Sequence, residues 1–316
     1  MLSAFSKNST LNIFYHGVVK NDSTHIFPRH IFLNQFEEHI KYLKNNFEII
    51  SLEDAFQIKK SGIKSKKRRI TISFDDGYSN NLINALPVLE KYEVKATFFI
   101  SSVLLTNHNA LMWSDVISFA RYLSKGNCIQ VDNIDFMKIG KYGLINMKNN
   151  EDIYSYIKKL SCAKRDVVIK DLIKKYDLNN RLIDYPEEWW RLLNKEELAL
   201  LAKSKYVQIA SHTHSHYNLA NLSKSDALYQ LQVSKEILSE AIKEEVQSVS
   251  FPDGSYNEEV KRMARNVGYR NLLAVDYRCD SDRGDLTILN RWGVSSTTTT
   301  ETIILAIHKA FNKHGF

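Results

Sequence analysis

Residues 71–78 read TISFDDGY: an apolar β-run that ends in two adjacent carboxylates, Asp75 and Asp76, and a glycine. Asp-Gly between two strands is a hairpin signal, but no second alternating strand follows. Leu82, Ala85, Leu86 and Leu89 come next at spacings of three and four, the period of a helix. The segment therefore reads as strand, loop, helix. In parallel α/β folds the loop after a strand's carboxyl end is where reactive groups gather. Two neighbouring carboxylates repel, so a site that keeps both needs positive charge, most simply a cation bound to one of them.

A second stretch has the same placement. Ser211-His212-Thr213-His214-Ser215-His216 follows the apolar run 206–210 directly. Neutral imidazole is a common zinc ligand, and histidines four apart, His212 and His216, face one way on a helical turn. His214 is expected to point elsewhere. Two histidines and one carboxylate make a three-donor set that leaves a position for water, as catalytic zinc sites do. The second carboxylate is then free to act as a base.

Strand-like runs recur at 11–15, 47–51, 70–74, 96–101, 207–211, 246–251, 271–275 and 288–289. Helical patterns lie between most of them, at 33–45, 53–60, 82–92, 224–244 and 257–267. Such alternation predicts parallel strands joined by crossover helices, closing as an (α/β) barrel in a single domain, 1–316. The rhythm breaks at about 105–195, which is too long for a plain loop. That segment is expected to be an insertion folded over one end of the barrel. Trp113 and the pair Trp189-Trp190 are expected to pack it down, with Trp113 the alternative wall of a substrate groove.

The formal net charge is +7, with 43 Lys and Arg against 36 Asp and Glu. The basic residues are scattered and no nucleic-acid motif accompanies them, so a solvated basic surface is the expectation and nucleic acid is not an expected partner. Three cysteines, Cys128, Cys162 and Cys279, are far apart and lack CxxC spacing, which supports neither a disulfide framework nor a cysteine zinc site. No signal-like or membrane-spanning apolar run is seen, so a cytoplasmic location is expected.

TISFDDGY resembles the first motif of the polysaccharide deacetylase superfamily, the family-four carbohydrate esterases, and SHTHSH resembles its second, His-Ser/Thr-x-x-His. Ser250-Phe251-Pro252-Asp253-Gly254-Ser255-Tyr256 is similar to a degenerate third motif. The resemblance implies a distorted (β/α)7 barrel and a metal-dependent N-deacetylase acting on an N-acetylated sugar or polysaccharide. Carried over by position, Asp75 is the general base, and Asp76, His212 and His216 hold a divalent ion. Zinc is the first expectation, with cobalt, nickel or iron(II) as alternatives.

The departures matter as well. The late histidine that serves many members as general acid has only His308 and His314 as candidates, both on a C-terminal helical stretch. His16, in Ile13-Phe14-Tyr15-His16-Gly17, instead resembles the acid of the circularly permuted branch that includes poly-N-acetylglucosamine deacetylases. The arginine common before the third motif's proline is missing; Arg291 in Leu289-Asn290-Arg291-Trp292 is the expected substitute that orients Asp75. Asp253 stands where the branch often has Tyr and is expected to shape the substrate groove. Two other readings remain: a cyclic amide or imide hydrolase on the same barrel, and a non-catalytic carbohydrate-binding module.

Overall fold

The computed structural model describes residues 10–62, 67–107, 110–294 and 299–316. Lys64, Lys66, Thr297 and Thr298, and the side chain of His314, lie outside the described residues.

Eight parallel strands form the main path of one nine-stranded sheet: β1 (Thr10–Tyr15), β2 (Arg69–Phe74), β3 (Ala96–Ile100), β4 (Val207–Ser211), β5 (Ser248–Ser250), β6 (Asn271–Ala274), β7 (Ile288–Asn290) and β8 (Trp292–Gly293). Their order is β7-β6-β5-β4-β3-β2-β1-β8. β7 and β8 lie at opposite ends of that path, yet one residue, Arg291, separates them in sequence. The chain itself thus crosses the seam: Arg291 N–H donates to Ala274 on one side (3.0 Å) and Val294 N–H to Phe14 on the other (2.9 Å). The result is the expected distorted (β/α)7-type barrel, nearly closed.

The strands read as continuous apolar runs because both faces are covered. β1 and β2 are buried along their whole length. Helices Leu33–Asn46, Leu52–Ser61, Lys224–Ile242 and Glu258–Asn266 occupy the expected crossovers. Local signals set their ends: Asn257 caps Val260 N–H, and Gly268 takes a left-handed φ of 100° two residues past the last helical one.

Two expected elements differ. The 47–51 run gives only the short pair Glu48–Ile49, attached to β2 outside the main path. The 82–92 helix opens as a π-helical turn, Asn81–Ala85, and continues as α-helix over Leu86–Lys91. Pro87 lies at the start of that second piece, and without an N–H it cannot continue the preceding ladder.

The insertion builds a core of its own around Trp113, Val116, Phe119, Phe136, Leu172 and Trp189, into which Val19, Ile26 and Phe27 also pack. It contains an antiparallel sheet, Cys128–Val131, Ile134–Ile139, Gly143–Asn146 and Glu151–Asp152, with helices before and after it. Glu188 ties its far end to the barrel, accepting from the N–H of Asn21 (2.8 Å) and from Asn84 Nδ2 (3.0 Å). No helix among the described residues is long and apolar enough to cross a membrane.

Candidate metal centre and active site

Asp75 and Asp76 follow β2 directly. The turn is steered by two left-handed residues, Asp76 (φ 79°) and Gly77 (φ 96°). A Cβ on residue 77 would come within 2.8 Å of the Leu104 side chain, so glycine is required there both by φ and by space. Asp75 N–H is anchored on Tyr15 O at 3.0 Å.

Asp75 faces Arg291. The guanidinium holds both carboxylate oxygens, Nη1 to Oδ1 at 2.7 Å and Nη2 to Oδ2 at 2.8 Å, and also bonds Ser73 Oγ and Ser250 Oγ. Phe14 and Phe99 lie against the guanidinium at 4.4 and 5.0 Å. Burial opposes ionisation of Asp75, but Arg291, then His212, outweigh it and hold the carboxyl below its usual range. Arg291 reaches Asp75 from the barrel seam.

Asp76 is wholly buried, and neither of its oxygens has a hydrogen-bond partner among the described residues. His216 Nε2 lies 3.3 Å from Oδ1 without hydrogen-bond alignment, His212 Nε2 lies 3.6 Å from the same atom, and Arg29 Nη1 lies 3.8 Å from Oδ2. Against the cost of burial, His216, His16 and Arg29 keep this carboxyl far below the ordinary carboxylate range. One ligand atom from each of Asp76, His212 and His216 fits within a sphere of mutual distances under 4.8 Å.

The histidines are not on a helical turn as the spacing suggested. Residues 212–218 form an irregular loop in which Thr213 (φ 65°) and His216 (φ 53°) are left-handed, and these bends aim both rings the same way. His214 turns aside to Ser102 Oγ, 2.9 Å. His212 Nδ1 donates to Ser250 O at 2.9 Å, which leaves Nε2 free as a ligand, the usual arrangement at metal-binding histidines. His216 accepts at Nδ1 from Trp113 Nε1, 3.2 Å away.

A buried carboxylate with two unpartnered oxygens beside two imidazoles is an unfavourable arrangement unless something positive joins it. The donor set fits a divalent cation. His212 is already the right tautomer; His216 reaches it by moving its proton to Nδ1.

Sequence reasoning missed two residues, Arg29 and Arg165, and the second role of a third, Trp113. Arg29 lines the site from the loop after β1, held by Asp115 at 2.8 Å and by Tyr78 and Ser114. Burial pushes Asp115 up to about 6 despite those donors. Arg165, from the insertion, donates to the carbonyls of Ser215 (2.7 Å) and His216 (2.8 Å) and stacks on Tyr217 at 3.5 Å. Trp113 is both a core residue of the insertion and the donor to His216. No local motif marks any of them, since their partners are distant in sequence.

His16 sits beyond the end of β1, edge-on to Phe14, within electrostatic reach of Asp76, Asp75, Arg29 and His212. Burial brings its pKa down to about 4, against the pull of the carboxylates. His308 is instead bonded to Arg68 (3.1 Å) and packs near Phe47, beside residues that precede β2, at the opposite end of that strand from Asp75. Asp253 lies in the turn after β5, its carboxylate 2.7 Å from Lys158 Nζ of the insertion.

The family model described as polysaccharide deacetylase matches residues 62–128 and 145–272. The poly-β-1,6-N-acetyl-D-glucosamine N-deacetylase of Staphylococcus aureus is 27% identical over 227 residues, 63% of this chain and 71% of its own. A Bacillus subtilis protein named as a polysaccharide deacetylase, YxkH, is 27% identical over 128 residues, and the match spans only 43% of its length. The solved Streptococcus pyogenes deacetylase PplD, in complex with acetate, superposes with a TM-score of 0.62 at 14% identity, covering 95% of this chain and 98% of its own. That last likeness is one of fold, and it agrees with the barrel described above. With the family model matching more than half of its residues, this chain belongs to the polysaccharide deacetylase family.

Proposed function

We propose that the protein is a metal-dependent N-deacetylase that removes acetyl groups from an N-acetylated glycan, with an N-acetylglucosamine polymer as the first candidate substrate. The observation that carries this reading is the pairing of two unlike carboxylates. Asp76 is buried, unpartnered and turned to His212 and His216, while its neighbour Asp75 is held ionised by Arg291.

In this reading Asp76, His212 and His216 hold a divalent ion, zinc in the first instance. When bound, such an ion lowers the pKa of water and polarises a carbonyl. Asp75 takes the proton from the attacking water, and Arg291 keeps its carboxylate oriented for that transfer. His16 delivers a proton to the departing sugar nitrogen. With a pKa near 4 the resting ring is neutral at pH 7. The proton it passes on is then the one that Asp75 takes from the attacking water, so water supplies its oxygen to the carbonyl carbon and its proton to the leaving amine as the C–N bond breaks. The backbone N–H of Asp253, at the same strand ends, is the candidate for receiving the carbonyl oxygen, since those of Gly254 and Ser255 are donated to Phe251 O and Pro252 O.

The test is acetate release from β-1,6- and β-1,4-linked N-acetylglucosamine oligomers, with metal content measured on the same preparations. Asp75→Asn should retain metal and lose turnover; His212→Ala should lose both. Full activity in either variant would end the proposal. Turnover of small cyclic imides in place of the oligomers would move the protein to the ring-opening reading.

A further inference from the structure

Asp253 has an unusual setting for an acidic residue at a rim. It occupies a left-handed position (φ 54°) in the turn Pro252–Gly254, and Gly254 behind it (φ 61°) has no room for a side chain, since a Cβ would come within 2.7 Å of Val275 O. The turn is thus fixed from below. It begins two residues after Ser250, whose carbonyl holds His212 and whose hydroxyl bonds Arg291. Asp253 is also within electrostatic reach of His216 and Arg29, so its carboxylate borders the reaction site.

What meets that carboxylate is a primary ammonium. Lys158 Nζ stands 2.7 Å from Asp253 Oδ1, with the two side chains 32% and 23% exposed. Lys158 ends the helix Ile153–Lys158, and its backbone is secured separately, its carbonyl accepting from Asn221 Nδ2 at 2.9 Å. The long side chain is free to leave without disturbing the insertion. A partly exposed pair of this kind is screened by solvent and contributes only modestly to stability, so displacing it costs little.

We propose that Asp253 is the seat for the protonated amine of an already deacetylated sugar unit, and that Lys158 occupies this seat in the free protein. The proposal rests on the deacetylase reading, because amide hydrolysis is what converts a neutral acetamido group into a primary amine. Such an amine is protonated near neutral pH and has the same chemistry as the lysine head group. A carboxylate distinguishes it sharply from an acetamido group, which carries no charge. Partly deacetylated glycans are then preferred to fully acetylated ones, with one free amine placed next to the reacting unit.

Calorimetric titration of glucosamine tetramers, β-1,6- and β-1,4-linked, into zinc-loaded protein at pH 6.5 tests this without any turnover. Asp253→Asn should weaken binding about tenfold, the worth of a charge-assisted hydrogen bond. Asn tolerates the left-handed position, so the turn survives the change. Lys158→Met should act in the opposite direction and tighten binding about threefold, because it removes the resident competitor. Unchanged binding in Asp253→Asn would overturn the proposal, as would weaker binding in Lys158→Met, which would make the pair a structural latch. Acetate release by the wild type from acetylated tetramers is measured alongside. Its absence would refute the deacetylase reading, whereas the binding signs decide the amine seat.

Discussion

Arg291 grips both oxygens of Asp75 from the single residue that separates the two strands closing the barrel. One residue therefore spans the fold's seam with its backbone and orients the proposed base with its side chain. Arg291→Met leaves a carboxylate buried without a counter-charge, and the expected loss of stability is about 3–5 kcal/mol. Arg291→Lys keeps charge but not the bidentate fork, so its stability should recover more than its acetate release. Thermal melts and kcat/KM on the same variants check this. Equal recovery of both quantities would contradict the orienting role.

Trp113 and Arg165 reach His216 from the insertion by different routes, and opposite effects on zinc affinity are expected from them. A neutral ring accepting from the indole carries its proton on Nε2. A cation at Nε2 sends that proton to Nδ1, where it faces the indole N–H. Trp113→Phe should thus leave zinc affinity unchanged or tighten it a few-fold. Arg165→Met should weaken it about 10–100-fold, since it frees the two carbonyls that hold the left-handed His216. Competition with a chromophoric chelator measures both.

His39 is fully buried on Leu33–Asn46, with Tyr15 OH 3.4 Å from Nδ1 and its pKa lowered to about 4 by burial. A histidine lowered on folding binds its proton more readily in the unfolded chain. Stability from this residue is therefore complete above pH 6.5 and is lost as pH falls from 6.5 towards 4, by up to about 3 kcal/mol. Urea midpoints across that window should fall less steeply for His39→Gln than for the wild type. Parallel slopes would show that His39 takes no part.

Much of this was legible in the chain because the decisive residues sit at strand ends. TISFDDGY and ASHTHSH each join an apolar run to a polar turn, so their common face followed from β-α alternation. The loop geometry at His212 and His216 was not legible, because a four-residue spacing does not reveal left-handed bends at Thr213 and His216. Arg291 was legible as a candidate only; its grip on Asp75 depends on a seam that exists once β7 and β8 have found different partners. Arg29, Arg165 and Lys158 carry no local signal, as each acts across a tertiary contact between barrel and insertion or between barrel loops.

The convergence of Asp76, His212 and His216 on one cation is tested most directly by anomalous scattering at the zinc edge from crystals grown with zinc. A peak about 2.0–2.2 Å from both Nε2 atoms and from an Asp76 oxygen is the predicted result. A map with no peak there, or with zinc bound only at the second acidic group of Glu258, Cys279 and Asp282, would contradict it.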